Sequence, residues 1–95
     1  MSATREGGCL CGAVRYRVAW PPQALVTCQC RNCQKQSGGA ISVVGVARRD
    51  DLTVAGELRT FEDRGDSGQA VLRQFCPNCG SPVLTDTPAA QADGL

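Results

Sequence analysis

A small, mostly β domain stapled by metal is the fold the sequence predicts, and three observations predict it. Short alternating segments recur between turn residues, no stretch carries a long helical period, and seven cysteines gather in three tight clusters. A chain of 95 residues suits one domain rather than two. Apolar residues make up 42%, yet the only aromatics are Tyr16, Trp20, Phe61 and Phe75, so the core is built from small aliphatic side chains. Such a core gains much from a metal crosslink, because structural zinc contributes roughly 10–16 kcal/mol of apparent binding free energy.

The elements follow in order. Over residues 13–18, Val14, Tyr16 and Val18 share one face while Arg15 and Arg17 share the other, the pattern of a half-buried strand. Residues 25–28, 40–47, 52–54, 58–61 and 70–75 are further short strands, divided by Pro21-Pro22, Gly38-Gly39, the Arg49-Asp50-Asp51 turn and a glycine-bounded loop over 65–68. A helix of one or two turns is predicted over 31–37, ending where Gly38 supplies a left-handed backbone. With no repeated βα unit, the strands form antiparallel sheets. Residues 1–84 make up this β domain, and 85–95, small and polar without a period, form an irregular tail.

Ten Lys and Arg against nine Asp and Glu leave a net charge of +1, and no basic stripe interleaves with aromatics, which excludes a nucleic-acid binder. No segment approaches the ~20 apolar residues of a membrane span, and the N-terminus lacks the apolar run of a signal peptide, so a cytoplasmic protein is expected. A reducing compartment and an odd cysteine count both argue against disulfides.

Cys76-Pro77-Asn78-Cys79-Gly80 is the most specific local signal. Its two-residue gap lets the chain curl both sulfurs toward one ion, and Gly80 permits the curl. A redox dithiol would need βαβ surroundings that the pattern lacks. Such a knuckle offers two ligands and needs a distant pair, either Cys9 and Cys11 or two of the middle three. The first pair, flanked by Gly7-Gly8 and Gly12, is the simpler choice, although buried core thiols are the competing reading. Cys28, Cys30 and Cys33 then remain as a set of three, matching a catalytic zinc with one exchangeable position; a carboxylate or a partner chain closing the site is the alternative. Three thiolates make the metal a weak Lewis acid suited to another soft ligand, such as a substrate thiolate. Arg31 and Lys35 lie in or just after this cluster and are candidates for binding the carboxylates of an anionic thiol, whereas Asp50, Asp51, Glu62 and Asp63 read as surface charge.

Taken together, residues 8–16 with Cys9 and Cys11, Cys28-Gln29-Cys30-Arg31-Asn32-Cys33-Gln34-Lys35 with Ser37-Gly38, and Phe75-Cys76-Pro77-Asn78-Cys79-Gly80-Ser81-Pro82 resemble the glutathione-dependent formaldehyde-activating enzyme family. The resemblance implies the fold shared with a guanine-nucleotide-exchange chaperone and B-type methionine sulfoxide reductases. It also implies a structural zinc at Cys9, Cys11, Cys76 and Cys79, and a catalytic zinc at Cys28, Cys30 and Cys33. The implied activity is that of a carbon–sulfur lyase, in which glutathione thiolate adds to formaldehyde to give S-hydroxymethylglutathione. Gln29 stands where the family commonly has His, and its amide cannot take up a proton near neutral pH. Family members usually continue past the Gly-Ser-Pro segment through further strands, so an exposed sheet edge that invites a homodimer is expected here. Two rival functions share these residues: a non-enzymatic zinc module for protein interaction, and a sulfoxide reductase, which would need a reactive cysteine outside the metal sets.

Overall fold

In the computed structural model, which describes residues 3–95, eight strands form three small antiparallel sheets. The first contains β1 (Ala3–Gly8), β2 (Arg15–Trp20) and β5 (Leu52–Ala55) in the order β1-β2-β5. A two-stranded sheet pairs β3 (Ala24–Cys28) with β4 (Ser42–Val46), and helix α1 (Arg31–Ser37) lies between them in sequence. The third sheet is β6 (Arg59–Arg64), β7 (Ala70–Phe75) and β8 (Pro82–Asp86), followed by helix α2 (Pro88–Ala92).

The mostly β, antiparallel architecture is the one expected, and α1 ends as predicted, with Gly38 at φ 71° donating its N–H to the Gln34 carbonyl. Alternation in β2 holds: Val14, just ahead of the strand, is fully buried, Tyr16 and Val18 are half-buried, and Arg15 and Arg17 are exposed. The strand itself begins two residues later than expected, because the Val14 N–H is drawn away from any ladder to the Cys9 sulfur at 3.2 Å.

Two strands had no sequence signal of their own. β1 has the sequence ATREGG and is almost wholly exposed, so it lacks an apolar alternation; it forms as the edge partner of β2, from Ala3 opposite Trp20 to Gly8 opposite Arg15. Glycine is required at position 7, since a Cβ there would come within 2.4 Å of the Tyr16 ring. β8 is the return arm of the hairpin that turns on Cys76 to Ser81.

The end of the chain corrects the irregular tail expected over 85–95. Thr85 and Asp86 complete β8, and Thr87 caps α2 by accepting the Ala90 N–H on its hydroxyl at 3.0 Å, with Pro88 opening the helix. Thr87-Pro88 suits a helix start, but a helix of five residues shows no apolar period and does not hold by itself. Asp86 anchors the segment by accepting from the Arg49 guanidinium and from Gln91 Nε2 at 3.1 Å, while the Arg49 N–H donates to the Gly94 carbonyl at 2.8 Å.

The apolar centre is small. Among the described residues only Cys9, Val14 and Cys76 form its buried cluster, with Val54, Leu58, Cys79 and Val83 packed against it. Two of those three buried side chains are cysteines, so the core and the first cysteine site are one place.

Gly56 sits at φ 106°, and a Cβ there would lie 2.4 Å from the Ala13 carbonyl oxygen. Gly56→Ala is therefore expected to destabilise the metal-loaded domain by about 1–3 kcal/mol in urea melts. Gly68→Ala, also at positive φ but in open space, should cost less. Burial opposes ionisation of Asp86, but hydrogen bonds from Gln91, Arg49 and the Thr87 N–H outweigh it and hold the carboxyl below its usual range. A depressed carboxyl stabilises the fold above its unfolded value and loses that contribution as pH falls through the folded one. Asp86→Asn should cost roughly 0.5–1 kcal/mol at pH 7, and melts repeated in acid should show the difference fading below the ordinary value of 3.8.

Candidate metal centres

The first cysteine set is built from the turns of two hairpins. Between β1 and β2 the chain folds back with the Cys9 N–H donating to the Val14 carbonyl at 3.0 Å and the Gly12 N–H to the Cys9 carbonyl at 3.2 Å. Between β7 and β8 the Cys76 N–H donates to the Ser81 carbonyl at 3.0 Å and the Gly80 N–H to the Cys76 carbonyl at 2.8 Å, with Gly80 at φ 77°. The two turns meet, and the sulfurs of Cys9, Cys11, Cys76 and Cys79 all lie within 4.8 Å of one another. Cys11 and Cys76, 65 positions apart in sequence, have sulfurs 3.8 Å apart. Ser81 ties the turns together, accepting the Leu10 N–H at 3.0 Å while its Oγ lies 3.1 Å from the Cys79 sulfur.

Backbone donors prepare these thiols for a cation. The Val14 N–H lowers the Cys9 pKa. The Ser81 hydroxyl, then the Ser81 and Cys11 amides, bring Cys79 down to about 5. The Cys79 amide also pulls on Cys76, yet burial and the neighbouring sulfurs of Cys9 and Cys79 leave it above the ordinary thiol value. Four mutually close sulfurs, two of them buried, form a soft donor set of the kind that could hold zinc.

The second set comes from one strand end and one helix start. Cys28 closes β3, Cys30 caps α1, and Cys33 lies in its first turn; their sulfurs also lie within 4.8 Å of one another. Cys30 Sγ accepts the Cys33 N–H at 3.3 Å, and that amide is the leading cause of its lowered pKa. Burial, with the Cys28 and Cys30 sulfurs close by, pushes Cys33 up to about 11. Cys28 and Cys33 are half-buried and Cys30 is exposed, so no sulfur of this trio is buried, whereas the quartet joins buried Cys9 and Cys76 to half-buried Cys79 and exposed Cys11. All seven cysteines are free thiols.

Next to the trio, α1 and the third sheet enclose an open cleft of about 380 Å³. Asn32, Lys35 and Gln36 form its helical wall, and Phe61, Asp63, Arg73, Phe75 and Pro82 form most of the sheet wall. Lys35 therefore reaches the cleft, as a residue that recognises an anion would. Arg31 does not; it borders a shallow exposed surface shared with Gln34 and Lys35. Gln29 is exposed, and its carbonyl accepts from Gln34 Nε2 at 3.0 Å.

Two residues of this wall were not legible as functional candidates. Asp63, read from sequence as surface charge, is paired with Arg73: Arg73 Nε donates to Asp63 Oδ2 at 2.9 Å, and this hydrogen bond leads in holding the carboxyl below its usual range. Arg73 is 8% exposed. The available signal was its position in β7, where Val71, Arg73 and Phe75 share a face, with Phe61 directly across from Arg73.

A small antiparallel β scaffold thus carries two groups of cysteine thiols, one of four and one of three, that could hold a metal ion. The glutathione-dependent formaldehyde-activating enzyme family matches over residues 4–94, and the chain belongs to that family. A protein of Halomonas elongata, provisionally named a glutathione-dependent formaldehyde-activating enzyme, is 37% identical over 93 aligned positions, covering 87% of this chain and 56% of that protein. Proteins of the same provisional name from Aspergillus flavus and Aspergillus oryzae are each 33% identical over 78 positions, covering 80% of this chain and 40% of theirs. The chain spans about half the length of these relatives.

The two sets should respond differently to the same substitution. Cys76→Ser removes a fully buried sulfur from the core, so far-UV circular dichroism and a urea melt should show loss of the folded state. Cys30→Ser alters an exposed side chain and should leave the fold intact.

Proposed function

We propose that this chain is a zinc-dependent carbon–sulfur lyase acting on a small-thiol adduct, with glutathione and formaldehyde as the reactants its family name indicates. The observation that carries the reading is the difference between the two sulfur sets: four sulfurs, two of them buried in the core, against three with none buried, set at the start of the helix that walls a cleft. Cys9, Cys11, Cys76 and Cys79 would hold a structural zinc, and Cys28, Cys30 and Cys33 a catalytic one. Zinc held by the trio would supply a soft cation that keeps a thiol anionic at neutral pH.

The chain's own residues would do the rest. Lys35 is placed to meet a carboxylate of the thiol, and Phe61, Phe75 and Pro82 offer an apolar wall to its carbon skeleton. In the addition, a carbon–sulfur bond forms at the carbonyl carbon, the carbonyl π electrons move to oxygen, and that oxygen takes up a proton. The sequence contains no histidine, and Asp63 is engaged by Arg73 and Asn32, so the proton would come from water or from the Lys35 ammonium in the same cleft. The same economy fits a reversible addition to a reactive aldehyde better than a reaction needing a strong general base. Nothing in the composition favours nucleic acid, and no helix among the described residues is long and apolar enough to cross a membrane. A soluble cytoplasmic protein with a small-thiol partner, able to pair with a second copy, is the setting this reading implies.

Metal analysis of the purified protein should give close to two zinc per chain, and titration calorimetry of the zinc-loaded protein should show glutathione binding that Lys35→Ala weakens several-fold. One zinc per chain after full loading, or no heat with glutathione, would refute the assignment.

A further inference from the structure

Helix α1 carries Cys33 and follows Cys30, yet none of its residues is buried. Its orientation therefore depends on polar ties to the third sheet. Asn32 Nδ2 donates to Asp63 Oδ2 at 3.1 Å and to Asp63 Oδ1 at 3.4 Å, and reaches the Arg64 carbonyl at 3.5 Å. Gln36 Oε1 accepts from an Arg73 terminal nitrogen at 2.6 Å. The other terminal nitrogen of Arg73 points at the Cys33 sulfur at 4.0 Å, and its Nε is taken by Asp63.

Arg73 is the only buried charged side chain among the described residues. A buried cation must be compensated, and here each guanidinium nitrogen already has a partner. Three of its five N–H donors are thereby engaged. Two partners carry or can carry negative charge, the Asp63 carboxylate and the Cys33 sulfur. Three thiolates around a divalent cation keep a net negative charge of about one, and Arg73 is the cation directed at that excess.

We infer that Arg73 is a positioning residue for the open cysteine trio: it fixes the Cys33 sulfur relative to Cys28 and Cys30 and offsets the residual negative charge of the metal-loaded site. The inference rests on the reading that the trio holds a metal ion. Asp63 and Gln36 each hold one guanidinium nitrogen, which keeps the third directed at the Cys33 sulfur. Partners behind the ligands of a metal site typically matter by 10–100-fold in affinity, and a guanidinium can satisfy three partners at once where an ammonium satisfies them as a point charge.

The test compares full-length wild type, Arg73→Met and Arg73→Lys, each loaded with zinc and challenged with a chromogenic chelator, and in parallel loaded with cobalt to read the sulfur-to-metal charge-transfer band. Release from the trio is expected 10–100-fold more readily in Arg73→Met, with a shifted cobalt band, while Arg73→Lys recovers part of the loss. The quartet's ion should be held equally in all three, which also reports that each variant is folded. A trio in Arg73→Met that holds its ion as wild type does would overturn the inference and leave the proposed function standing. Equal losses in Arg73→Met and Arg73→Lys would overturn the charge offset. A wild-type chain that takes up no second ion would overturn both readings together.

Discussion

The structure depends on four sulfurs doing what an apolar core does in larger domains. With Val14 the only fully buried aliphatic side chain among the described residues, hydrophobic burial at that position supplies about 1.5–3 kcal/mol, far less than ordering a chain of this length requires. The first and third sheets meet where the Cys9–Val14 and Cys76–Ser81 turns meet. Without an ion drawing four thiolates together, the lowered and raised pKa values around this cluster describe groups in mutual competition; with one, the same amide and hydroxyl donors from Val14, Cys11 and Ser81 stabilise a shared anion. Scaffold and metal centre are one object here, and each other element is positioned relative to it.

The second sulfur set is held in another way. It grows from a strand end and a helix cap in a two-stranded sheet that contributes nothing to the buried cluster. Its connection to the third sheet runs through Asp63, Arg73, Asn32 and Gln36, a chain of hydrogen bonds at the floor of a cleft. Polar docking of this kind fixes direction more sharply than apolar packing and is more open to solvent. Leu25 and Val43 remain exposed on the outer face of the same hairpin, so its stability comes from its ladder and from α1 rather than from burial.

Much of this was legible in the sequence, for identifiable reasons. Cysteine spacing is set by ligand geometry, which tolerates little variation, so the division into Cys9, Cys11, Cys76 and Cys79 against Cys28, Cys30 and Cys33 could be read before any coordinates, and the sulfurs fall into those groups. The α1 boundaries followed from one glycine. β1 and α2 could not be read because their order comes from tertiary pairing: β1 borrows its register from β2, and α2 depends on Asp86 and Arg49. Asp63 looked like any surface acid because its partner is ten residues away on the next strand, where only the register reveals the pairing.

The two turns that build the quartet lie at nearly opposite ends of the chain, and this has a bearing on synthesis. A nascent chain emerging from the ribosome cannot close its sulfur core until Cys79 has been made, so the N-terminal hairpin waits in water with two reactive thiols and little apolar cover. Closure of so long a loop adds only a logarithmic entropy cost, but it makes the last hairpin the step that commits the whole chain. Early fragments would have little reason to persist as folded species, and an ion captured too soon by the middle cysteines would bind a chain that has no architecture yet.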